Sequence, residues 1–432
     1  MHKNKHHKTI CFYFQVHQPY RLNDYNFFSQ DKEFFQGPIG AGNKEIFEKV
    51  AYKCYLPMTN LLYELLEVHP DFKVSFSLSG VFIEQCLEFG EIGERVLQNF
   101  QRLIDTGRVE ILAETYYHSL TFLYSKQDYA EQIHKHRKLV KTVFGVWPKV
   151  FRNTELIYNN EIANFIKEMG FSGMLLEGWD PILSGKKQHH VLEPVKSGLH
   201  SDDQVIARKY NIGKRKEDFG LLLKDYKLSD DIAFRFGQKS WPSYPLTVEK
   251  YADWLGPIMG DTINLFMDFE TFGEHQWEDT GIFEFMKALP AELLRRGYGF
   301  ATPSETLKLY ERKGEVDCHN HLSWADLERD LSAWTGNPLQ DSCIGLISEM
   351  EKYVHVMKHS RKKDVQALVH KWRLMQTSDH FYYMCLKFWE DGDVHKYFSP
   401  YDSPYEAYIS YMNVYNSLKQ EIIEKYNEIN NA

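Results

Sequence analysis

The chain has 432 residues and a net charge of −9, because 60 Asp and Glu outnumber 51 Lys and Arg. This acidic balance repels phosphate backbones and argues against a nucleic-acid partner. Hydrophobic residues make up 43% of the chain, as in ordinary globular proteins, and no apolar run approaches the roughly 18 residues of a membrane helix. No membrane partner is expected either.

The cysteines and the N-terminal segment indicate a compartment. The basic first residues lead straight into Cys11 and Phe12 without an apolar signal core, so secretion is not expected. Six cysteines lie far apart and form no CxxC pair, which argues against a disulfide framework and against a thiolate zinc site. We therefore expect buried thiols in a reducing cytoplasm.

From residue 9 to about residue 310, short apolar runs alternate with longer helical patterns, as in βα units. The short runs predict seven strands, at 10–16, 73–77, 109–113, 149–152, 173–176, 232–236 and 263–268. The longer patterns predict helices at 45–68, 128–143, 160–169 and 280–295. This alternation favours an α/β fold with a parallel barrel, whose active site is lined by residues at the carboxyl ends of the strands.

Two regions depart from the βα pattern. Residues 181–230 contain charged, Gly-containing stretches and are predicted to form an excursion inserted over the barrel mouth. Beyond residue 310 strand patterns cease, and apolar residues recur at helical spacing, at Val365, Leu368, Val369, Trp372 and Met375. A further helix is predicted to begin at Ser403, where Pro404 and Glu406 complete a capping box. We predict a barrel over 1–310 and a helical region over 311–432.

Polar residues end the first and third predicted strands. Gln15 and His17 close the first strand, and Pro19 prevents its continuation. A core histidine satisfied by the backbone is the alternative for His17. The stretch GRVEILAETYYHSL places tyrosines beside His118 at the end of the third strand. Aromatic rings beside a histidine suit a sugar, although the tyrosines could equally pack against a neighbouring helix.

A carboxyl group follows the fourth predicted strand in the stretch FRNTELIY. Glu155 comes directly after that strand, and Arg152 precedes it by three positions. A nearby cation favours the ionised carboxylate, which is the form that a nucleophile needs. A glutamate stabilised by the dipole of the following helix explains the position equally well.

A second carboxyl group follows the last predicted strand in the stretch LFMDFETFGEH. Asp268 is the first polar residue after an apolar run, and Phe269 flanks it. A carboxyl group beside apolar rings resists ionisation, so its pKa rises toward that of a general acid. Alternation places Glu270 on the same side. Two such carboxyl groups in one barrel can cleave a glycosidic bond, one attacking the anomeric carbon and the other protonating the leaving oxygen.

Five stretches occur in a fixed order: VHQPY, GRVEILAETYYHSL, FRNTELIY, MDFETFGEHQW and DLSAWTGN. They resemble the five sequence regions of glycoside hydrolase family 57, which contains α-amylases, 4-α-glucanotransferases, α-glucan branching enzymes and amylopullulanases. The resemblance runs from about residue 9 to beyond residue 400. It implies a (β/α)7 barrel, a helical region that helps to shape the cleft, and a retaining double displacement that needs no cofactor and no obligatory metal.

The resemblance also implies roles for particular residues. Glu155 matches the nucleophile, Asp268 matches the acid/base, and His17 and His118 match substrate-contacting positions. Gln15 stands where many members carry histidine, so it can hydrogen-bond a hydroxyl but cannot carry charge. The remaining candidates for substrate contact are Glu270, His275, Trp179, Trp241, Trp334 and, from the helical region, Asp379.

The segments SDHFYYM and FSPYDSPYEAY resemble the α-amylase-type members. They imply an α-glucan partner and cleavage of α-1,4-glucosidic bonds in starch, glycogen or maltooligosaccharides. Glucan transfer or branching is the alternative within the family. A more distant alternative is a metal-dependent polysaccharide deacetylase with zinc held by His17, His118 and His275, although no HxxxH or HxD spacing occurs at these strand ends.

Overall fold

The computed structural model describes residues 8–26, 29, 32–38, 40, 42–183, 188–213, 218–389 and 399–431. Its main strands are β1 (Thr9–Val16), β2 (Val74–Leu78), β3 (Val109–Ile111), β4 (Val150–Arg152), β5 (Gly173–Glu177), β6 (Gly220–Lys224) and β7 (Thr262–Asp268). Two-residue strands lie at Glu193–Pro194, Gly299–Phe300 and Glu315–Val316.

The seven main strands close into a parallel barrel. β1 pairs with β2 and β7, β2 with β3, β4 with β5, and β5 with β6, all in parallel. Ala113, just beyond β3, pairs in parallel with Phe151 of β4. Beyond β6, the amide of Asp225 donates to the carbonyl of Asn264 in β7 at 2.8 Å. The predicted (β/α)7 architecture is therefore confirmed.

Helices cover the outside of the barrel and form the C-terminal region. Those within the first 310 residues are Asn43–Val50, Leu56–Val68, Gly80–Glu88, Glu91–Asp105, Lys126–Phe144, Asn160–Glu168, Ser201–Lys209, Tyr226–Ala233, Val248–Leu255, Ile282–Arg295 and Pro303–Leu309. Those that follow are Ser332–Thr335, Pro338–Glu349, Glu351–Met357, Lys363–Leu374, Ser378–Tyr382 and Pro404–Asn430. The predicted helix 45–68 is continuous only through a π-helical turn, Ala51–Tyr55.

The predicted strand at 232–236 is wrong. Asp225 accepts a hydrogen bond from the amide of Leu228 at 3.0 Å and thereby starts the helix Tyr226–Ala233, which contains the first two of these residues. The strand of the barrel is instead β6, inside the segment predicted as an excursion. Its sequence GLLLK is a short, continuously apolar run, as expected for a strand buried on both faces.

The barrel interior is filled with apolar side chains. One buried cluster occupies it: Cys11, Tyr13, Leu112, Val150, Leu156, Leu175, Val191, Leu222, Phe266 and Leu307. Such packed layers make the barrel a core and not a pore. Two larger clusters join its outer surface to the surrounding helices.

The C-terminal region packs against the barrel through one apolar cluster that includes Phe151 of β4, Trp372 and Tyr411. The stripe predicted from Val365 to Met375 is buried, and Ser403 caps the last helix by accepting from the amide of Glu406 at 3.2 Å. Strand structure does not end at residue 310, because Glu315–Val316 pairs with Glu193–Pro194. The boundary near residue 310 stays a prediction. In the described ranges, no helix is both long and apolar enough to span a membrane.

Candidate active site

Polar residues stand at or just beyond the carboxyl ends of the barrel strands: Gln15, Ser77, Glu114, Arg152, Glu177, Lys224 and Asp268. Strand register aligns several of them, because Gln15 pairs with both Ser77 and Asp268, and Glu177 pairs with Lys224. Because parallel strands end at the same face, these residues form a polar mouth above the apolar interior. This mouth is where the sequence pattern predicts the active site.

A cavity of about 910 Å³ opens at the mouth. Glu155 and Asp268, the two carboxyl groups singled out from the sequence, both line it. So do seven other predicted site residues: Gln15, His17, His118, Glu270, His275, Trp334 and Asp379. A cavity of this size and mixed lining suits a small-molecule or oligosaccharide segment.

Glu155 is held by several hydrogen-bond donors. Its Oε2 accepts from the indole N–H of Trp324 at 2.7 Å. Its Oε1 accepts from the hydroxyl of Ser378 at 3.2 Å and lies 3.2 Å from Nε2 of His118. These contacts come from the region after β3 and from two segments beyond the barrel, so the carboxylate is fixed from different parts of the chain.

The backbone around these residues is strained. Glu155 has φ of 57°, Leu156 has φ of 51° and His118 has φ of 50°. Left-handed backbone at residues other than glycine costs of order 1–3 kcal/mol each and concentrates at functional sites. The amide of Trp324 donates to the Glu155 carbonyl at 3.2 Å and supports this conformation.

Two histidines stack in the site. The rings of His17 and His118 lie 4.0 Å apart with an interplanar angle of 21°. His118 lies between the carboxylates of Glu114 and Glu155, at 3.1 and 3.2 Å. His17 contacts Ser79 Oγ at 2.8 Å through Nδ1 and Asp379 Oδ2 at 2.9 Å through Nε2. Asp379 thus reaches the barrel mouth from the helical region.

The histidine pair has an uneven charge. Burial works to lower the pKa of His118, but the hydrogen bonds to Glu114 and Glu155 outweigh it and raise the pKa to about 9. Burial and the charge on His118 lower the pKa of His17. At neutral pH the ring beside Glu155 is therefore cationic and its stacking partner is neutral.

The pKa values of Glu155 and Asp268 are shifted in opposite directions. Burial works to raise the pKa of Glu155, but the hydrogen bond and charge of His118, with Arg152 and Trp324, bring it below its ordinary value. Burial, followed by the negative charge of Glu155, raises the pKa of Asp268 to about 6. Two carboxyl groups whose environments separate their pKa values are suited to a nucleophile and a general acid.

The surroundings of Gln15 and Glu270 differ. Gln15 Oε1 accepts from Tyr13 at 2.7 Å and from Ser77 at 2.8 Å, and its Nε2 lies 3.3 Å from Glu114. Both ends of its amide therefore have protein partners. Glu270 accepts from the Tyr55 hydroxyl at 2.6 Å, and burial followed by the charge of Asp268 raises its pKa to about 8.

The three tryptophans predicted to contact substrate lie in different parts of the structure. Trp334 lines the cavity, whereas Trp179 and Trp241 are not among the described residues that line it. Trp179 packs against the apolar cluster shared with the helical region. Trp241 lies edge-on to Trp254, with ring centroids 5.9 Å apart. The sequence does not distinguish a tryptophan that packs in a core from a tryptophan that lines a cleft.

Sequence reasoning missed several residues that reach the mouth from segments outside the barrel strands. Trp324 and Ser378, both donors to Glu155, are in this group. So is Arg329, which bonds Glu177 at 2.6 Å in an ion-pair network that includes Lys224. The Trp and Arg positions lie in a stretch without periodic pattern, so only their polar or aromatic character could have indicated them.

The residues present give little support to a metal centre. Each ring nitrogen of His17 and His118 already contacts a protein partner. Among the described residues, no three His, Cys, Asp or Glu side chains are grouped to hold a metal ion. The arrangement does not favour the deacetylase alternative.

A parallel barrel with two such carboxyl groups in one cavity has the arrangement of a glycoside hydrolase. The sequence profile of glycosyl hydrolase family 57 matches residues 11–319. The chain belongs to glycosyl hydrolase family 57 and is a glycoside hydrolase.

Individual relatives agree with this assignment. The chain is 41% identical to a protein of Methanocaldococcus jannaschii named "Putative alpha-amylase", over 94% of this chain and 83% of the relative. The branching enzyme of Pyrococcus horikoshii has a similar fold, with a TM-score of 0.66, 14% identity, and coverage of 97% of this chain and 94% of that one. The alpha-amylase AmyC of Thermotoga maritima gives a TM-score of 0.58 with 13% identity, over 97% and 96%.

Proposed function

We propose that this glycoside hydrolase is an α-amylase that cleaves α-1,4-glucosidic bonds of starch, glycogen or maltooligosaccharides with retention of configuration. The observation that carries the proposal is the pair Glu155 and Asp268, which line one cavity with pKa values shifted in opposite directions. The name of the 41% identical relative supports the choice of α-glucan.

In the first step, a carboxylate oxygen of Glu155 attacks C1 of the glucose unit. The bond from C1 to the glycosidic oxygen breaks, and Asp268 transfers its proton to that oxygen, which leaves as a free hydroxyl. The raised pKa of Asp268, about 6, keeps the group protonated in slightly acidic solution. The product is a glucosyl ester on Glu155.

In the second step, ionised Asp268 takes a proton from an incoming water molecule. The water oxygen bonds to C1, the ester bond breaks, and Glu155 returns to its ionised form. The His118 cation keeps Glu155 ionised and therefore able to attack, and it stabilises the carboxylate that the second step releases. A sugar hydroxyl that replaces water would give transfer in place of hydrolysis.

The proposal is tested by incubating the purified protein with maltoheptaose and, separately, with soluble starch. We expect reducing ends to accumulate and the α-anomer to form first, as measured by reducing-sugar assay and NMR. Oligomers longer than heptaose, or new α-1,6 branches, would assign transfer or branching instead. Cleavage of a β-linked glucan, used as the control, with none of either α-glucan would refute the substrate class.

We further propose a cytoplasmic location for this enzyme. All six cysteines are free and buried, which supports a reducing compartment. Fractionation of the native cells with an antibody against the chain tests this, and recovery from the medium would contradict it.

A further inference from the structure

Arg152 is a buried cation for which the described residues provide no hydrogen-bond acceptor. Its side chain ends β4 and is 0% exposed. None of its Nε, Nη1 and Nη2 atoms has a hydrogen-bond partner within the part of the chain that the structure describes. A guanidinium keeps its proton in proteins, and a buried charge without acceptors disfavours folding. Fold stability alone does not explain this residue.

The Arg152 guanidinium lies over an aromatic ring. It lies 4.9 Å from the ring centroid of Trp324, and Lys224 Nζ lies 5.4 Å from the same ring. The N–H group of that indole donates to Glu155 Oε2 at 2.7 Å. A cation attracted to the ring face limits how the indole can rotate, and so fixes the direction of its N–H.

We propose that Arg152 is a positioning residue, which holds Trp324 so that its indole clamps the Glu155 carboxylate and which supplies the positive charge that balances the carboxyl pair. The proposal deepens the proposed function, because it takes Glu155 as the nucleophile. Glu155 has left-handed backbone, so a contact from another segment helps to hold its carboxylate in place.

The electrostatic surroundings agree with this geometry. The charge of Arg152 contributes to lowering the pKa of Glu155, where burial and His118 are the larger influences. It also opposes the rise in the pKa of Asp268 that burial and Glu155 cause. The other titratable groups facing it are Tyr13 of β1, Glu114 and His118 after β3, and Lys224 of β6.

The first experiment compares Arg152→Met, Arg152→Lys and Trp324→Phe in the full chain. For Arg152→Met and Trp324→Phe we expect kcat on maltoheptaose to fall by about tenfold to hundredfold, with KM changed by less than about threefold. Both limbs of the pH profile should move to higher pH in Arg152→Met and stay in place in Arg152→Lys, which keeps the charge. The double variant should lose no more than the more affected single variant.

Arg137→Met is the matched control, because Arg137 also lies 4.9 Å from a tryptophan ring, that of Trp147, away from the mouth. It should leave kcat and the pH profile unchanged. Thermal unfolding separates positioning from packing: Arg152→Met should unfold at the wild-type temperature or above, since it removes a buried charge. A lower unfolding temperature with an unchanged pH profile, or additive losses in the double variant, would overturn the proposal.

A readout without substrate keeps this proposal separate from the proposed function. The difference between the fluorescence of wild type and Trp324→Phe isolates Trp324, whose N–H contacts Glu155. The pH at which the Trp324 fluorescence has completed half of its change should rise in Arg152→Met and stay the same in Arg137→Met. If wild type cleaves no α-glucan, the proposed function fails, while an unmoved midpoint refutes the role of Arg152 on its own.

Discussion

The two sides of the barrel mouth each place a carboxyl group in the cavity, but the surroundings of the two groups differ. On the β4 side, Glu155 has left-handed backbone and accepts hydrogen bonds from Trp324 and Ser378, with cationic His118 beside it. On the β7 side, Asp268 ends a regular strand with φ of −67° and is flanked by the buried Phe269. Hydrogen-bond donors and the charge of His118 lower the pKa of Glu155, whereas burial and the charge of Glu155 raise that of Asp268 to about 6, so environment and not residue type distinguishes the two groups.

The largest test of this contrast removes the β4 carboxylate. Glu155→Ala should lower kcat by about 10⁴-fold or more, because no covalent intermediate can form, while α-glucan binding survives. Azide should restore part of the cleavage by entering the vacated space. Glu64→Ala, on an outer helix, is the control and should keep full activity. Substantial turnover by Glu155→Ala without azide would contradict the assignment.

The next test removes the acid on the β7 side. Asp268→Ala should lower starch hydrolysis by about 10²-fold to 10⁴-fold, and should affect 4-nitrophenyl α-maltoside less, because nitrophenolate leaves without a proton. Wild-type activity should decline above about pH 6 as Asp268 ionises. That decline should disappear in the variant. Equal losses on both substrates would argue against the acid role.

A smaller effect is expected from the cation beside Glu155. His118→Asn removes a group that is charged below about pH 9 and that lowers the pKa of Glu155. The acidic limb of kcat/KM, set by protonation of Glu155, should therefore move to higher pH, with about a tenfold loss at the optimum. His134→Asn, on the outer helix Lys126–Phe144, should not shift the profile. An unmoved acidic limb would show that His118 does not set the charge state.

The smallest effect is expected for Glu270→Gln. Burial and the charge of Asp268 raise the pKa of Glu270 to about 8, so the residue is already neutral at the pH where Asp268 acts. A neutral amide of similar shape should leave kcat/KM at pH 6 within about threefold of wild type. A loss as large as that of Asp268→Ala would mean that Glu270 acts as an ionised group.

Most of the barrel strands could be predicted from the sequence because each is a short apolar run that ends at polar residues. Six of the seven predicted strands overlap barrel strands, and the apolar runs before Asp268 and before Glu155 located two of them. Strand β6 was not predicted because its run of leucines lies between charged segments. The stretch predicted in its place, 232–236, is apolar and aromatic, but it begins inside the helix Tyr226–Ala233 that Asp225 caps.

The pattern of strands alone located the candidate site only at strand ends, whereas Asp379 and Trp334, which also line the cavity, were named through the family resemblance. Glu155 and Asp268 follow strands, and alternation and barrel geometry bring such residues to one face. Trp324 and Ser378 reach Glu155 from segments distant in sequence, and nothing in local periodicity encodes that contact. The separation of Trp334 from Trp179 and Trp241 likewise depends on tertiary packing.

The apolar filling of the barrel has a consequence for how an intermediate is resolved. Tyr13, Leu112, Leu175, Leu222 and Phe266 close the space beneath the polar mouth. Among the described residues, these side chains pack together beneath Glu155 and Asp268, so in the proposed mechanism the attacking water enters from the cavity side of the barrel, as the glucan does. Under the proposed mechanism, a departing sugar that stays in the cavity therefore occupies space that the attacking water needs, and the relative affinity of the cavity for sugar contributes to the balance between hydrolysis and transfer.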